Sequence, residues 1–265
     1  MLKPTVQSVY LSPHLDDAVL SCGGLIHRQG QQGRPPIVIT CFAAVPDHGV
    51  LSPFALEQHR RWGQLVAPLE QRPCEDATAL AYLGAKYQHW DYLDCIYRRH
   101  PDSNEFLYTS EEAIFGQVHS AEYNLAERLA GDISRSLSAE ATLICAPLAV
   151  GHHVDHQVVL QAALRLRQMG FQVQFYEDYP YAGDPTKLDQ ALQAWIPPPT
   201  AVVHAIQAED LEAKVTAIAL YRSQLGVLFG DETSMSARVH AYARTVSGAG
   251  GYAERYWQGG SQRNV

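Results

Sequence analysis

Short apolar segments alternate with longer segments of helical period along this chain. Apolar runs rich in β-branched residues and bounded by Pro, Gly or polar clusters predict buried strands, and the longer periodic segments predict helices. The predicted strands are residues 6–11, 36–44, 87–93, 141–147, 172–176 and 201–206. The predicted helices are residues 17–28, 53–69, 75–83, 111–138, 156–169 and 208–223, and residues 97–110 have no period and predict a long loop.

This alternation is typical of βαβ units and a mostly parallel sheet. It predicts an α/β fold, a Rossmann-like three-layer sandwich, and residues 1–265 form one domain because no repeat or linker interrupts them. In the common strand order 3-2-1-4-5, ligands bind where the carboxyl ends of strands 1 and 4 diverge. The loops beginning at Ser12 and Leu148 should therefore face one crevice.

Composition narrows the class of protein. The 28 acidic residues exceed the 20 basic ones and give a net charge of −8, which disfavours a nucleic-acid binder. At 265 residues the chain can bury a large core without a structural metal, so a metal would serve chemistry. The five scattered cysteines predict reduced thiols and a cytoplasmic protein. Asp16 and Asp17 lie where a signal peptide would need an uninterrupted apolar stretch, so no signal peptide is predicted. No apolar run approaches the ~18 residues of a membrane span.

The two loops of the expected crevice are rich in imidazoles and carboxylates. Zinc prefers these ligands, and a catalytic zinc keeps three protein ligands with one position open for water. His14, Asp17 and His156 supply such a set. Asp16, the neighbouring carboxylate, can then act as general base toward that water.

The second loop offers further imidazoles. A cationic His153 could stabilise an oxyanion and protonate a leaving amine, and Asp155 could hold or charge an imidazole. His152, four residues before His156, is a rival ligand, although Gly151 favours its placement in a loop. Either motif alone is more often surface polarity or a helix cap, and Asp16 and Asp17 also suit the first turn of a helix. Together the loops predict metal-assisted hydrolysis of an amide or ester.

The motifs resemble those of a known family. Residues 13–17 with Cys22-Gly23-Gly24 look like the opening motif of the LmbE-like, PIG-L family of zinc-dependent N-acetylglucosamine deacetylases, and residues 153–156 look like its His-x-Asp-His motif. Weaker similarities continue along the chain. They are residues 72–76, Leu83-Gly84, Asp94, Tyr221-x-Ser223-Gln224 and residues 251–255.

The resemblance implies a role for each matched residue. His14, Asp17 and His156 would bind Zn²⁺, Asp16 would be the general base, and His153, assisted by Asp155, would be the oxyanion-stabilising acid. Arg72 and Asp94 would contact sugar hydroxyls. Ala18 and Leu15 depart from the family's usual Glu and Pro, which changes no ligand but bears on substrate preference.

We therefore expect a hydrolase that removes the N-acetyl group from an N-acetylglucosamine-type sugar or small glycoconjugate. A hydrolase of another acyl group or a phosphoester, and a non-catalytic sugar- or nucleotide-binding module, are the alternatives. The expected partner is a small amino sugar, with no nucleic acid and no membrane span, and a homo-oligomer is compatible with the sequence. Gly23-Gly24 is interpreted as close packing of the first helix on strand 1, and residues 176–181 as either a sugar-lining segment or a capped loop.

Overall fold

The computed structural model describes residues 6–46, 50–63, 71–248 and 250–261. Within these residues, seven strands form one sheet in the order β3-β2-β1-β4-β5-β7-β6. The first five strands in this order pair in parallel, and β7 pairs antiparallel with both β5 and β6. The strands are β1 Gln7–Ser12, β2 Ile37–Thr40, β3 Lys86–His89, β4 Thr142–Pro147, β5 Gln172–Tyr176, β6 Thr200–Ile206 and β7 Tyr252–Gln258.

Helices cover both faces of the sheet. Alternate residues of β1 point to opposite faces, so Val9 belongs to one apolar cluster and Tyr10 to the other. The first cluster includes residues of α5, α6 and α7, and the second includes residues of α1, α3, α8 and α10. The helices are α1 Asp17–Gln31, α2 Pro53–Arg61, α3 Gln71–Tyr82, α4 Glu111–Ile114, α5 Leu125–Ser136, α6 Val154–Gln168, α7 Pro185–Gln193, α8 Ala208–Ala219, α9 Arg222–Phe229 and α10 Glu232–Ser247.

This architecture confirms the predicted three-layer α/β fold and the predicted order of strands 3-2-1-4-5. Strand β5 spans the predicted residues, β4 starts one residue later than predicted, and β1 is shifted by one residue at both ends. Strand β7 and helices α7 and α10 were absent from the prediction. None of the described helices is long and apolar enough to cross a membrane.

Two of the predicted helices are each divided into two helices in the structure. Residues 111–138 form α4 and α5 with an irregular segment between them, in which the His119 side chain caps a short turn. The predicted helix 208–223 ends at Ala219, and α9 starts at Arg222. The break buries Tyr221, whose hydroxyl donates to Asp76 Oδ1 at 2.6 Å. The last part of the predicted helix 53–69, residues 64–69, lies outside the described residues.

The glycine pair of α1 allows a close approach between layers. A Cβ on Gly23 would lie 2.9 Å from Lys214 Cγ on α8, and one on Gly24 would lie 2.7 Å from Ile206 Cδ1 on β6. These distances are shorter than carbon–carbon contact allows. The packing interpretation is therefore confirmed, but the partners are α8 and β6 rather than β1.

Candidate active site

The loops after β1 and β4 meet at the carboxyl edge of the sheet. These strands are parallel neighbours, with Val9 opposite Ile144, so the loops that follow them start at the same edge of the sheet. Asp17 Oδ2, at the first residue of α1, lies 3.3 Å from His156 Nε2, near the start of α6. The crevice expected from strand order is present.

Local hydrogen bonds fix the first loop. Ser12 Oγ donates to the carbonyl of His14 at 2.7 Å and accepts the N–H of Ala18 at 3.0 Å. Asp17 Oδ2 accepts the N–H of His14 at 2.8 Å. Asp16 has a φ of 149°, which residues other than glycine rarely adopt. Such strained backbone is found most often at functional sites.

Two imidazole nitrogens converge on one carboxylate oxygen. Asp17 Oδ2 lies 3.2 Å from His14 Nδ1 and 3.3 Å from His156 Nε2. The opposite ring nitrogens are bound elsewhere: His14 Nε2 lies 2.9 Å from Asp155 Oδ2, and His156 Nδ1 lies 2.6 Å from Asp178 Oδ1. If both rings are neutral, the nitrogens that face Asp155 and Asp178 carry the hydrogen, because a carboxylate can only accept. The other nitrogen of each ring then directs its lone pair toward Asp17.

This donor set fits a divalent metal ion. Nitrogen and oxygen ligands of a tetrahedral zinc, each about 2.1 Å from the ion, lie about 3.4 Å apart, and the distances from Asp17 Oδ2 to His14 Nδ1 and to His156 Nε2 are close to this spacing. Each imidazole is held by a carboxylate, the usual arrangement around metal-binding histidines. His14, Asp17 and His156 could therefore hold the metal.

Electrostatics at the cluster favour positive charge. Burial opposes a charge on His156, but the nearby carboxylate of Asp17 and the bond to Asp178 outweigh burial and raise its pKa to about 10. Burial likewise opposes a charge on His14, but its bonds to Asp155 and Asp17 raise its pKa. Burial alone would raise the pKa of Asp17, but the two histidines lower it. The field that holds protons here would also attract a metal cation.

Asp16 is a free carboxylate beside this cluster. The structure shows no hydrogen bond to its side chain within the described part of the chain, although the residue is only 7% exposed. Burial and the charge of Asp17 raise its pKa to about 8, while Arg72 and His14 oppose the shift. An unpaired carboxylate with a raised pKa is suited to accept a proton.

His153 caps helix α6 and differs from the two convergent histidines. Its Nδ1 accepts the N–H of Asp155 at 3.3 Å, so the remaining hydrogen of a neutral ring lies on Nε2. Burial and the charge of His14 lower its pKa well below the ordinary range. Atoms of His14, His153 and His156 also lie within 4.8 Å of one another, but a protonated Nε2 has no lone pair for a metal. His153 is thus a hydrogen-bond donor next to the cluster.

The remaining residues singled out from the sequence lie nearby. Arg72 and Asp94 line one cavity together with Leu15 and Tyr97, and Asp94 Oδ2 is 3.9 Å from His14 Nε2. The Asp155 carboxylate is bonded to His14 and Arg98, and Asp155 reaches His153 through its backbone N–H.

His152 has an exposed side chain and precedes the start of α6, which confirms its placement in the loop.

Sequence reasoning missed two charged partners of the cluster. Asp178, in the segment of uncertain role, is 1% exposed and binds His156. Its position two residues after β5, the neighbour of β4, was a usable signal. Arg98 binds Asp155 from a segment without periodicity, and no sequence signal marked it. Glu177 is also buried and binds Arg255, Trp257 and Tyr242, so both acids of this segment face inward.

A cluster of two histidines and one aspartate that could hold one divalent cation, with an unpaired carboxylate beside it at the carboxyl edge of a parallel sheet, is typical of metal-dependent hydrolases. Comparison with known families agrees with this class. Residues 9–166 match the family described as PIG-L, GlcNAc-PI de-N-acetylase. The chain belongs to the PIG-L family.

Its relatives include several deacetylases. The chain is 28% identical to 2'-N-acetylparomamine deacetylase of Streptomyces fradiae, over 92% of this chain and 83% of that protein. It is 25% identical to the enzyme of the same name from Niallia circulans, over 84% of this chain and 82% of that protein. Among solved structures, the zinc-inhibited form of teicoplanin deacetylase superposes with a TM-score of 0.83 and 32% identity, covering 98% of this chain and 100% of that one.

Proposed function

We propose that this chain is a zinc-dependent N-deacetylase that releases acetate from an N-acetylated amino sugar or a small conjugate of one. The observation that carries the proposal is the convergence of His14 Nδ1 and His156 Nε2 on Asp17 Oδ2, next to the unpaired carboxylate of Asp16. The relatives named above are deacetylases, and one of them is described in a zinc-inhibited form. These similarities support both the reaction and the choice of metal.

His14, Asp17 and His156 would hold the zinc. When bound there, zinc supplies a Lewis acid that polarises the amide carbonyl and acidifies water. Asp16 takes the proton from the attacking water, because it is the free carboxylate beside the cluster. Its pKa must fall below the working pH for this role, and the positive charge of Arg72 acts in that direction.

His153 stabilises the developing negative charge on the carbonyl oxygen. The N–H of Asp155 occupies Nδ1, which leaves the Nε2–H as the donor. A fixed donor in a buried site stabilises an oxyanion without reorganisation. Asp16 carries the proton from water and can pass it to the leaving amine, so the products are acetate and a free amine.

Substrate recognition falls to the cavity lined by Arg72 and Asp94. Arg72 offers donors and Asp94 offers acceptors, a combination that binds neighbouring sugar hydroxyls. The Arg72 guanidinium lies 4.7 Å from the centre of the Trp62 ring, which holds it in place by a cation–π contact.

Two broader assignments belong to the same proposal. Residues 1–265 would act as one deacetylase domain, and the protein would work in the cytoplasm. Its five cysteines are free thiols, and four of them are buried, which suits a reducing compartment.

The test combines metal analysis with product release. The protein is loaded with one equivalent of zinc, and acetate is measured with a panel of N-acetylated amino sugars. Acetate release that is lost in Asp16→Asn supports the proposal. Turnover of a phosphodiester such as bis(p-nitrophenyl) phosphate, without acetate release from any amide, would favour the phosphoesterase alternative.

A further inference from the structure

Arg98 is a buried cation that the proposed mechanism leaves unused. Its side chain is 10% exposed and lies between two acidic side chains. Nη1 donates to Asp155 Oδ1 at 2.5 Å and to the carbonyl of Leu93 at 3.0 Å, and Nε lies 2.5 Å from Glu122 Oε1. A guanidinium in this setting holds its partners in a fixed plane.

Asp155 connects Arg98 to the metal cluster. It is fully buried, and its two oxygens have different partners. Oδ1 receives Arg98, while Oδ2 receives His14 Nε2 at 2.9 Å and the N–H of Cys95 at 3.0 Å. Because both oxygens belong to one rigid carboxylate, the contact with Arg98 sets the direction in which Oδ2 meets His14.

The orientation of His14 matters for metal binding. A hydrogen on Nε2, directed at Asp155, leaves the Nδ1 lone pair toward Asp17 Oδ2 at 3.2 Å. A ring that rotates or changes tautomer would lose this lone pair. Carboxylates that bind the outer nitrogen of a metal-binding histidine therefore contribute to metal affinity.

We propose that Arg98 is a positioning residue of the metal site, which fixes Asp155 and through it the ring of His14. The inference rests on the proposed function, because it concerns the metal that the function requires. Arg98 makes no hydrogen bond to the three candidate ligands. It does not line the cavity of Arg72 and Asp94, although its guanidinium packs 5.0 Å from the ring centre of Phe42, which does. Its effect on catalysis is therefore indirect.

Glu122, the second acidic partner of Arg98, connects it to residues farther from the metal cluster. Glu122 Oε2 accepts from Arg98 Nη2 at 3.1 Å and from the Tyr108 hydroxyl at 2.7 Å. The Tyr108 hydroxyl in turn accepts the N–H of His119 at 2.8 Å. Hydrogen bonds thus link the irregular segment before α5 to Arg98.

The test measures metal affinity in Arg98→Lys and Arg98→Met. Lysine keeps the buried charge but cannot contact Asp155 and Glu122 in the same plane, and methionine removes the charge. We expect zinc affinity, measured by competition with a chromophoric chelator, to fall by ~10- to 100-fold in both variants. The visible spectrum of the Co²⁺-loaded protein should also change, because it reports the ligand geometry.

Arg99→Met is the matched control. Arg99 is the next residue, and its guanidinium stacks on Phe106 at 3.6 Å and donates to the carbonyls of Asn104 and Val50. Arg99→Met should bind zinc like the unsubstituted chain.

Circular dichroism identifies which Arg98 variants fold. Arg98→Lys, which keeps the charge between the two acids, carries the test if Arg98→Met does not fold. Unchanged zinc affinity and an unchanged Co²⁺ spectrum in a folded Arg98 variant would overturn the inference and leave the proposed function intact. Absence of metal binding by the unsubstituted chain would overturn both.

Discussion

His156 Nδ1 and Asp178 Oδ1 lie 2.6 Å apart, and both side chains are almost fully buried. This contact directs His156 Nε2 toward Asp17 and matches the contact between His14 and Asp155 on the other side of the cluster. Each imidazole is thus held by its own carboxylate: Asp155 in the first turn of α6 holds His14, and Asp178 in the loop after β5 holds His156. The metal affinity of the site should depend on these carboxylates as well as on the ligands.

Removal of the Asp178 carboxylate should weaken metal binding. In Asp178→Ala we expect zinc affinity to fall by ~10- to 100-fold, measured by chelator competition. Asp184→Ala is the control, since Asp184 is an exposed cap of α7 whose loss should cost only about 1 kcal/mol of stability. Equal zinc affinity in the two variants would show that Asp178 does not orient His156.

The two neighbouring aspartates should separate binding from chemistry. Asp16→Asn should keep the metal and lose turnover by ~10²- to 10⁴-fold, because the amide cannot accept a proton. Asp17→Asn should lose metal. Metal analysis and acetate release on both variants check this pair, and the opposite pattern would reverse the two assignments.

The adjacent histidines 152 and 153 offer a matched comparison. His153→Ala should lower kcat by ~10²- to 10³-fold with little change in KM, because its Nε2–H acts in the transition state. His152→Ala, which removes an exposed ring, should change neither constant. Steady-state kinetics give the answer, and an intact kcat in His153→Ala would remove this residue from the mechanism.

The pH dependence of kcat/KM should change when the positive charge of Arg72 is removed. Asp16 must be ionised to accept a proton, so activity rises as the pH passes upward through its pKa. Arg72 lowers the pKa of Asp16, and Arg72→Met should therefore move the acidic limb of kcat/KM to higher pH. Arg72→Lys should move it less. A limb that stays in place in Arg72→Met would contradict the electrostatic contact.

Two helical glycines should respond in opposite directions to alanine. In Gly24→Ala the new Cβ would lie 2.7 Å from Ile206 Cδ1 and 3.1 Å from Glu254 Oε1, so we expect a loss of about 1–3 kcal/mol. In Gly226→Ala no atom of the described residues beyond the adjoining helix backbone lies within 4 Å of the new Cβ, and we expect a gain of about 0.4–1 kcal/mol. Urea unfolding measures both. Equal stabilities would mean that α1 does not pack closely on β6.

The sequence predicted the part of the site that depends on strand order. Residues 141–147 form a continuous apolar run after a helical pattern, and the rule for parallel sheets then placed its loop beside that of β1. That step was enough to bring His14 and His156 together. It required no knowledge of side-chain contacts.

The partners of these histidines depend on tertiary contacts that no local pattern records. Asp155 lies two residues from His153, yet its carboxylate binds His14, 141 positions away. Helix α10 was missed although its buried residues Met235, Val239, Ala243 and Val246 recur at the three- and four-residue spacing of an amphipathic helix. Strand β7 was missed because polar Glu254 and Arg255 interrupt its apolar run.

Anomalous X-ray scattering at the zinc edge tests the central claim most directly. A crystal of the protein loaded with one equivalent of zinc should show one strong peak, bonded to His14 Nδ1, Asp17 Oδ2 and His156 Nε2, with Asp16 beside it and outside the ligand set. A peak bonded to His153 or Cys95 in place of these atoms would contradict the account.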